Sequence, residues 1–168
     1  MELYLLRHGE AGKRVPVAKD SERALTAAGK EEVEEIAESL AGQKYVFDVV
    51  ASSPLKRAKD TASIVNGALK RDGEVEEWPE LSPEGSRGAL YRRLGKLKPT
   101  AAVLCVGHEP YLTTAIGDVI GRGGDGPSGP RIVLRKGGMA KLVIARFTPG
   151  ISGELRWLLT PKQLKKLA

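Results

Sequence analysis

The sequence predicts an α/β fold: a three-layer α/β/α sandwich around a mostly parallel sheet of about six strands, one of them antiparallel. Three observations predict it. The short continuous apolar runs Leu3-Tyr4-Leu5-Leu6 and Ala101-Ala102-Val103-Leu104-Cys105-Val106 have the length and composition of strands buried on both faces. Segments with apolar residues at helical spacing alternate with such runs through most of the chain. Near the end, the strands Lys141–Phe147 and Glu154–Leu159 are joined by Thr148-Pro149-Gly150, a turn short enough for antiparallel pairing at one side of the sheet. At 168 residues, one domain spanning 1–168 is expected.

The elements follow in order. After the strand at Leu3–Leu6, the stretch from Gly12 to Arg23 is polar and loop-like. Thr26 is placed to cap a helix whose buried stripe is Val33, Ile36, Ala37 and Leu40, with Glu31 and Glu32 near its positive end and Gly42 as its stop. Phe47–Ala51 reads as the second strand. Ser52-Ser53-Pro54 reads as a helix start with proline at the first helical position, followed by the stripe Leu55, Ala58, Ala62, Val65 and Leu69 and a break at Gly73. Val75–Trp78 is a weak strand near an edge, and a third helix is expected from Pro83-Glu84 with Leu90, Leu94 and Leu97 on one face. Ala101–Val106 is the strongest strand, and Pro110 opens a helix carrying Leu112, Ala115, Ile116, Val119 and Ile120. Gly121–Pro130 reads as a surface loop without the strand-to-helix context of a phosphate-binding glycine loop, and Pro161–Ala168 as a closing helix.

Composition narrows the function classes. A single cysteine excludes an internal disulfide, and Cys105 sits inside an apolar strand, where it reads as a small core residue. The first strand starts where a secretion signal would lie, and no apolar run is long enough to span a membrane, so a cytoplasmic location and no membrane partner are expected. A net charge of +6 invites nucleic acid, yet the basic residues are scattered and aromatics for base stacking are few. Nucleic-acid binding is therefore a minor reading. A basic balance equally suits an anionic substrate.

The chain has two histidines, and both follow a predicted buried strand. His8 lies in Arg7-His8-Gly9 and His108 in Gly107-His108-Glu109-Pro110. Open α/β sheets bind ligands beyond the carboxyl ends of their strands. A neutral imidazole is a good nucleophile toward phosphorus, and an adjacent arginine offers a planar fork for phosphate oxygens. A satisfied core or surface histidine is the plainer alternative at each position. Two of two at strand ends weighs toward function. A third feature is Ser52-Ser53-Pro54-Leu55-Lys56-Arg57-Ala58, a predicted helix N-terminus with an arginine in its first turn; free N–H groups and a guanidinium there attract anions.

Taken together, Leu6-Arg7-His8-Gly9-Glu10, Ser52-Ser53-Pro54-Leu55-Lys56-Arg57-Ala58 and Val106-Gly107-His108-Glu109-Pro110 resemble the motifs of the histidine phosphatase superfamily, the phosphoglycerate-mutase-like group. Lesser echoes, Arg23-Ala24-Leu25-Thr26 with Gly29, Pro79-Glu80-Leu81-Ser82-Pro83 and Trp157-Leu158-Leu159-Thr160-Pro161, extend the resemblance along the chain. About fifty residues separate Arg57 from His108, which leaves little room for a substrate-capping insertion. In this the chain is most similar to the compact SixA-type phosphohistidine phosphatases.

The resemblance implies a covalent mechanism in which His8 attacks phosphorus and water then hydrolyses the phosphohistidine. It implies that Arg7, Arg57 and His108 surround the transferring group as catalytic and substrate-binding residues, with Gly9 and Arg23 as further substrate ligands. Glu80 is the first candidate for a general acid, with Glu10 and Glu109 behind it. No metal or other cofactor is needed. The expected substrate is phosphohistidine on a protein. The alternatives are a small phosphorylated metabolite such as a sugar phosphate or nucleotide, or a non-catalytic module that only binds phosphate.

Overall fold

Strand β1 (Glu2–Arg7) is built from Leu3 and Leu5, which enter one hydrophobic core, and Tyr4 and Leu6, which enter another. The twofold alternation of a strand divides a continuous apolar run between two faces, so β1 must be covered on both. The computed structural model describes residues 1–13, 19–121 and 132–167 and supplies both covers. Along the chain come α1 (Ala27–Gly42), β2 (Val49–Ser52), α2 (Lys56–Ala68), β3 (Glu76–Glu77), α3 (Arg87–Leu94), β4 (Ala102–Gly107), α4 (Tyr111–Val119), β5 (Met139–Arg146), β6 (Ser152–Leu159) and α5 (Pro161–Leu164). Short 3-10 turns occupy Asp20–Glu22 and Pro79–Leu81.

The strands form a six-stranded sheet in the order β3-β2-β4-β1-β5-β6. Pairing is parallel from β3 through β2 and β4 to β1, while β5 runs against both of its neighbours. On one face, α1, α2 and α5 pack through Val33, Ile36, Ala37, Leu40, Ala58, Ala62, Val65 and Leu164. On the other, α3 and α4 contribute Leu90, Leu94, Leu112, Ala115, Ile116 and Val119. The three-layer sandwich, the mostly parallel sheet and its single reversed strand are as the sequence predicts. Cys105 lies in the core, where burial pushes its thiol up.

The boundaries carry the differences. The second strand starts at Val49 instead of Phe47 and runs on through Ser52. Pro54 is not the first residue of α2: Pro54 and Leu55 form a turn, Leu55 is the N-cap without a side-chain bond, and the helix begins at Lys56. The third helix begins at Arg87, where the Ser86 hydroxyl accepts the Ala89 amide; Pro83 and Glu84 belong to a turn closed by Gly85 N–H on Ser82 O. A serine cap satisfies a free amide of the first turn, which Pro83 has no side-chain acceptor to do. Pro110 is the N-cap of α4 rather than its first residue, and α5 closes after Leu164. Apart from Gly121, the glycine-rich stretch through Pro130 lies outside the described residues, as do 14–18 of the early loop.

Candidate active site

Of three adjacent parallel strands, β4 and β1 end level with one another, Arg7 paired with Gly107, and β2 ends one position short of them, Ser52 paired with Val106. The next residue along each chain segment is Ser53, His108 and His8. Ladder-like hydrogen bonds carry the register one step further, with His8 N–H on Gly107 O at 3.1 Å and Ser53 N–H on Val106 O at 3.0 Å. Sheet register therefore brings together two imidazoles a hundred residues apart in sequence. Their ring centroids are 5.1 Å apart.

His8 is 7% exposed. Its Nδ1 lies 2.7 Å from Gly9 O, a carbonyl that can only accept, so Nδ1 carries the proton and Nε2 presents a lone pair. Burial, opposed by the Gly9 bond and reinforced by Arg57, Arg7 and Arg23, pushes the His8 pKa down to about 4. The ring is neutral at pH 7. The Arg57 Nε–H donates to that Nε2 at 3.3 Å.

Arg57 stands on the inner face of α2 and is 4% exposed. Thr61, one turn on, returns its hydroxyl to Arg57 O at 2.8 Å and accepts the Gly9 amide at 3.1 Å. This fixes the His8 loop to α2. The Gly9 N–H is thereby taken up in an internal bond. What Gly9 supplies is its carbonyl, which sets the His8 tautomer, and its lack of a side chain: a Cβ there would stand 2.6 Å from Val33 Cγ2 and 3.1 Å from Gly29 O.

His108 is 2% exposed, and its Nε2 lies 2.8 Å from Ser53 Oγ. Ser53 Oγ also accepts the Leu55 amide at 3.3 Å, and its second lone pair and its own proton let it meet either tautomer of His108. The other ring nitrogen, Nδ1, is a buried atom with no partner among the described residues. Burial first, then the neighbouring His8 and Arg57, push the His108 pKa down to about 3, with Asp20 acting against them.

The remaining arginines line the same pocket. Arg7 gives Nη1 to Leu134 O at 2.9 Å, while its buried Nε has no partner among the described residues. Arg23 gives Nη1 to Gly12 O at 3.2 Å and Nη2 to Asp20 at 3.1 Å, and its charge is felt by both imidazoles. Glu109 is half-buried, held by the Thr113 amide and hydroxyl, and burial raises its carboxyl although Arg7 opposes this. Glu80 instead accepts from Arg93 Nε at 3.0 Å, and among the described residues no hydrogen bond or ion pair ties it to the two histidines. Glu10 is exposed beside Lys136.

The structure thus gathers Arg7, His8, Arg23, Arg57 and His108 and sets Glu80 on Arg93. Sequence reasoning missed Ser53 and Thr61 as site residues, and Asp20 altogether. Thr61 was readable, because four residues after Arg57 is the same helix face. Ser53 was visible only as part of a helix start, and its partner His108 is 55 residues away.

A sheet-end pocket built from paired neutral imidazoles and guanidiniums is that of a phosphate-handling enzyme. The model of the histidine phosphatase superfamily, branch 1, matches residues 3–84. The phosphohistidine phosphatase SixA of Escherichia coli is 35% identical over 114 residues, 67% of this chain and 70% of that protein. A Picosynechococcus protein is 33% identical over 168 residues, covering 98% of this chain and 99% of its own. The solved structure of the protein histidine phosphatase SixA complexed with tungstate superposes with a TM-score of 0.82 at 28% identity, over 98% of this chain and 99% of that one. The chain belongs to the histidine phosphatase superfamily, and it is a phosphatase.

Proposed function

We propose that this phosphatase removes the phosphoryl group from phosphohistidine on a protein, through a covalent intermediate on His8. The observation that carries the reading is the His8 ring: neutral, its Nδ1 proton on Gly9 O, its Nε2 lone pair facing the Arg57 fork. In the first step a bond forms from Nε2 to phosphorus as the bond from phosphorus to the leaving imidazole breaks, and the electron pair leaves with that imidazole. Water then attacks the phosphoryl group, the Nε2–phosphorus bond breaks, and inorganic phosphate departs. Arg57, Arg7 and His108 surround the three equatorial oxygens, whose charge redistributes as phosphorus transfers. Arg23 extends this positive wall. The tungstate bound by the SixA structure is a tetrahedral oxyanion like phosphate, which supports an oxyanion seat in this fold.

The substrate assignment rests on leaving-group chemistry and space. An imidazole protonated at its other nitrogen leaves without help, so a site whose first-choice acid, Glu80, is paired with Arg93 and, among the described residues, bonded to neither histidine suits it. Between Arg57 and His108 the chain forms the rest of α2, a two-residue strand, a 3-10 turn, an eight-residue helix and β4, with no capping subdomain in that interval. Such a compact connection suits a protein side chain as substrate.

A second reading, a small phosphomonoester, is favoured by Glu109. Its carboxyl, raised by burial and within reach of the Arg7 charge, is a better candidate proton donor for an alkoxide than Glu80, which is paired with Arg93. Turnover of a phosphohistidine protein and of p-nitrophenyl phosphate, each compared with His8→Ala, tests both. The proposal expects the higher kcat/KM on the protein and acid-labile label trapped on the wild type alone. A thousandfold preference for the small ester would transfer the assignment to the second reading, and label retained by His8→Ala would end the covalent role of His8.

A further inference from the structure

Every nitrogen of the Arg57 guanidinium is engaged within the chain. Nε donates to His8, Nη1 to the Asp20 carbonyl at 2.9 Å, and Nη2 to Asp20 Oδ2 at 3.0 Å. The other oxygen of the same carboxylate, Oδ1, lies 3.1 Å from Arg23 Nη2. Asp20 therefore spans two guanidiniums, with one oxygen on each, and its field reaches His108 as well.

Guanidinium forks bind carboxylate and phosphate through the same N–H edges. A phosphoryl group in line with His8 Nε2 would take the edge of Arg57 formed by Nε–H and Nη2–H. One of these now covers the nucleophile's lone pair and the other serves Asp20. The partners also differ in exposure. Arg57 is 4% exposed on α2, whereas the Asp20 side chain is 32% exposed in a 3-10 turn. A carboxylate left beside an incoming dianion would repel it through a weakly screened medium.

We propose that Asp20 is an internal placeholder: it holds the phosphoryl seat on Arg57 and Arg23 in the empty enzyme, neutralising the buried cations, and gives up that seat to the substrate. This rests on the reading of the pocket as a phosphoryl site. The proposal explains why an acid lies among the arginines of an anion pocket. It also sets the affinity of the enzyme for its product, because phosphate has to displace Asp20 in order to stay.

The test is binding of inorganic phosphate by calorimetry, and product inhibition, for the wild type, Asp20→Asn, Asp20→Ala and Arg57→Ala. Apparent affinity falls by the fraction of sites held by the competing state, so removing the competitor should tighten phosphate about five- to tenfold. KM should fall in the same variants, and phosphate should inhibit at lower concentration. Should one variant fold poorly without its counter-ion, the other, checked by circular dichroism, carries the comparison. Phosphate bound equally or more weakly by the folded Asp20 variants, with wild-type binding intact and lost in Arg57→Ala, would overturn the placeholder and make Asp20 a brace for the arginines. Wild-type phosphate binding that survives Arg57→Ala would overturn the phosphoryl pocket itself.

Discussion

The Arg57 Nε–H and the His8 Nε2 lone pair are hydrogen-bonded at 3.3 Å, so the cation meant for phosphate covers the nucleophile until substrate arrives. The bond aims the lone pair, and the Arg57 charge adds to burial in keeping the ring unprotonated. It also makes Arg57 serve two partners in sequence, first the imidazole and then a phosphoryl oxygen, and a rigid fork is needed to do both from one position. Lysine would keep the charge as a single mobile point. Arg57→Lys should lower kcat by about 10²–10³-fold, the scale of losing a preorganised donor to a transition state. A Lys variant retaining a third of wild-type kcat in steady-state assays would show that charge alone suffices.

With pKa values pushed down to about 4 and about 3, His8 and His108 are neutral through the range where histidine ordinarily titrates. They are the only two histidines in the chain, so their ring proton resonances can be followed without ambiguity. Neither should shift with a midpoint between pH 8 and about 5 in the phosphate-free enzyme. The sign for stability follows. Unfolded histidines take up protons near pH 6.5 while the folded ones do not until about pH 4 or below, so the unfolded state binds more protons in between. Their contribution to stability is present in full above pH 6.5 and is lost as pH falls toward 4. Denaturant midpoints measured across that window should drop; a ring titrating at 6.5 would contradict the burial argument.

How much of this was legible depends on the range of the interaction. Leu3–Leu6 and Val33, Ile36, Ala37 and Leu40 were readable because the pattern that buries them repeats within a few residues. His8 and His108 were readable because each directly follows such a pattern. The start of α2 was misplaced because Ser-Ser-Pro carries a strong local helix-start signal, while Ser53 is instead committed to the His108 ring. Asp20 was not legible at all. Its bonds to Arg57 cross 37 residues, and an Asp-Ser-Glu-Arg stretch looks like any solvated loop.

The His8 loop is positioned by glycine on both sides of a contact. A Cβ on Gly9 would meet Val33 Cγ2 at 2.6 Å, and one on Gly29 would meet Glu10 O at 2.1 Å. The first clash is with the end of a side chain, the second with backbone. Gly9→Ala should cost about 1–3 kcal/mol, the range of overpacking, and reduce activity by moving the Gly9 carbonyl that holds the His8 tautomer. Adding Val33→Ala should recover part of both losses, whereas Gly29→Ala should admit no comparable rescue. Urea unfolding and kcat for the four-member cycle of Gly9 and Val33 variants measure it. Strict additivity would mean that the close approach does not set the loop.

The two acids behave differently because their surroundings do. Glu80 is paired with Arg93, whose guanidinium also lies over the Trp78 ring at 4.9 Å, so Glu80 is one part of a cation-centred cluster on α3. Among the described residues Glu109 is hydrogen-bonded by the Thr113 hydroxyl and amide, and burial raises its carboxyl against the pull of those bonds and of Arg7. A proton donor matters for an alkoxide leaving group and matters little for an imidazole that carries its own proton. Glu109→Gln should therefore slow hydrolysis of an alkyl phosphate by about 10²-fold, at the lower end for general acid catalysis, and phosphohistidine cleavage by about threefold or less. Glu80→Gln should leave both within about threefold and thermal stability nearly unchanged, because Arg93 is exposed to water. Parallel kcat/KM values on the two substrates decide between them: a large ester-selective loss at Glu80 instead of Glu109 would return the acid role to Glu80 and require its ion pair with Arg93 to open during turnover.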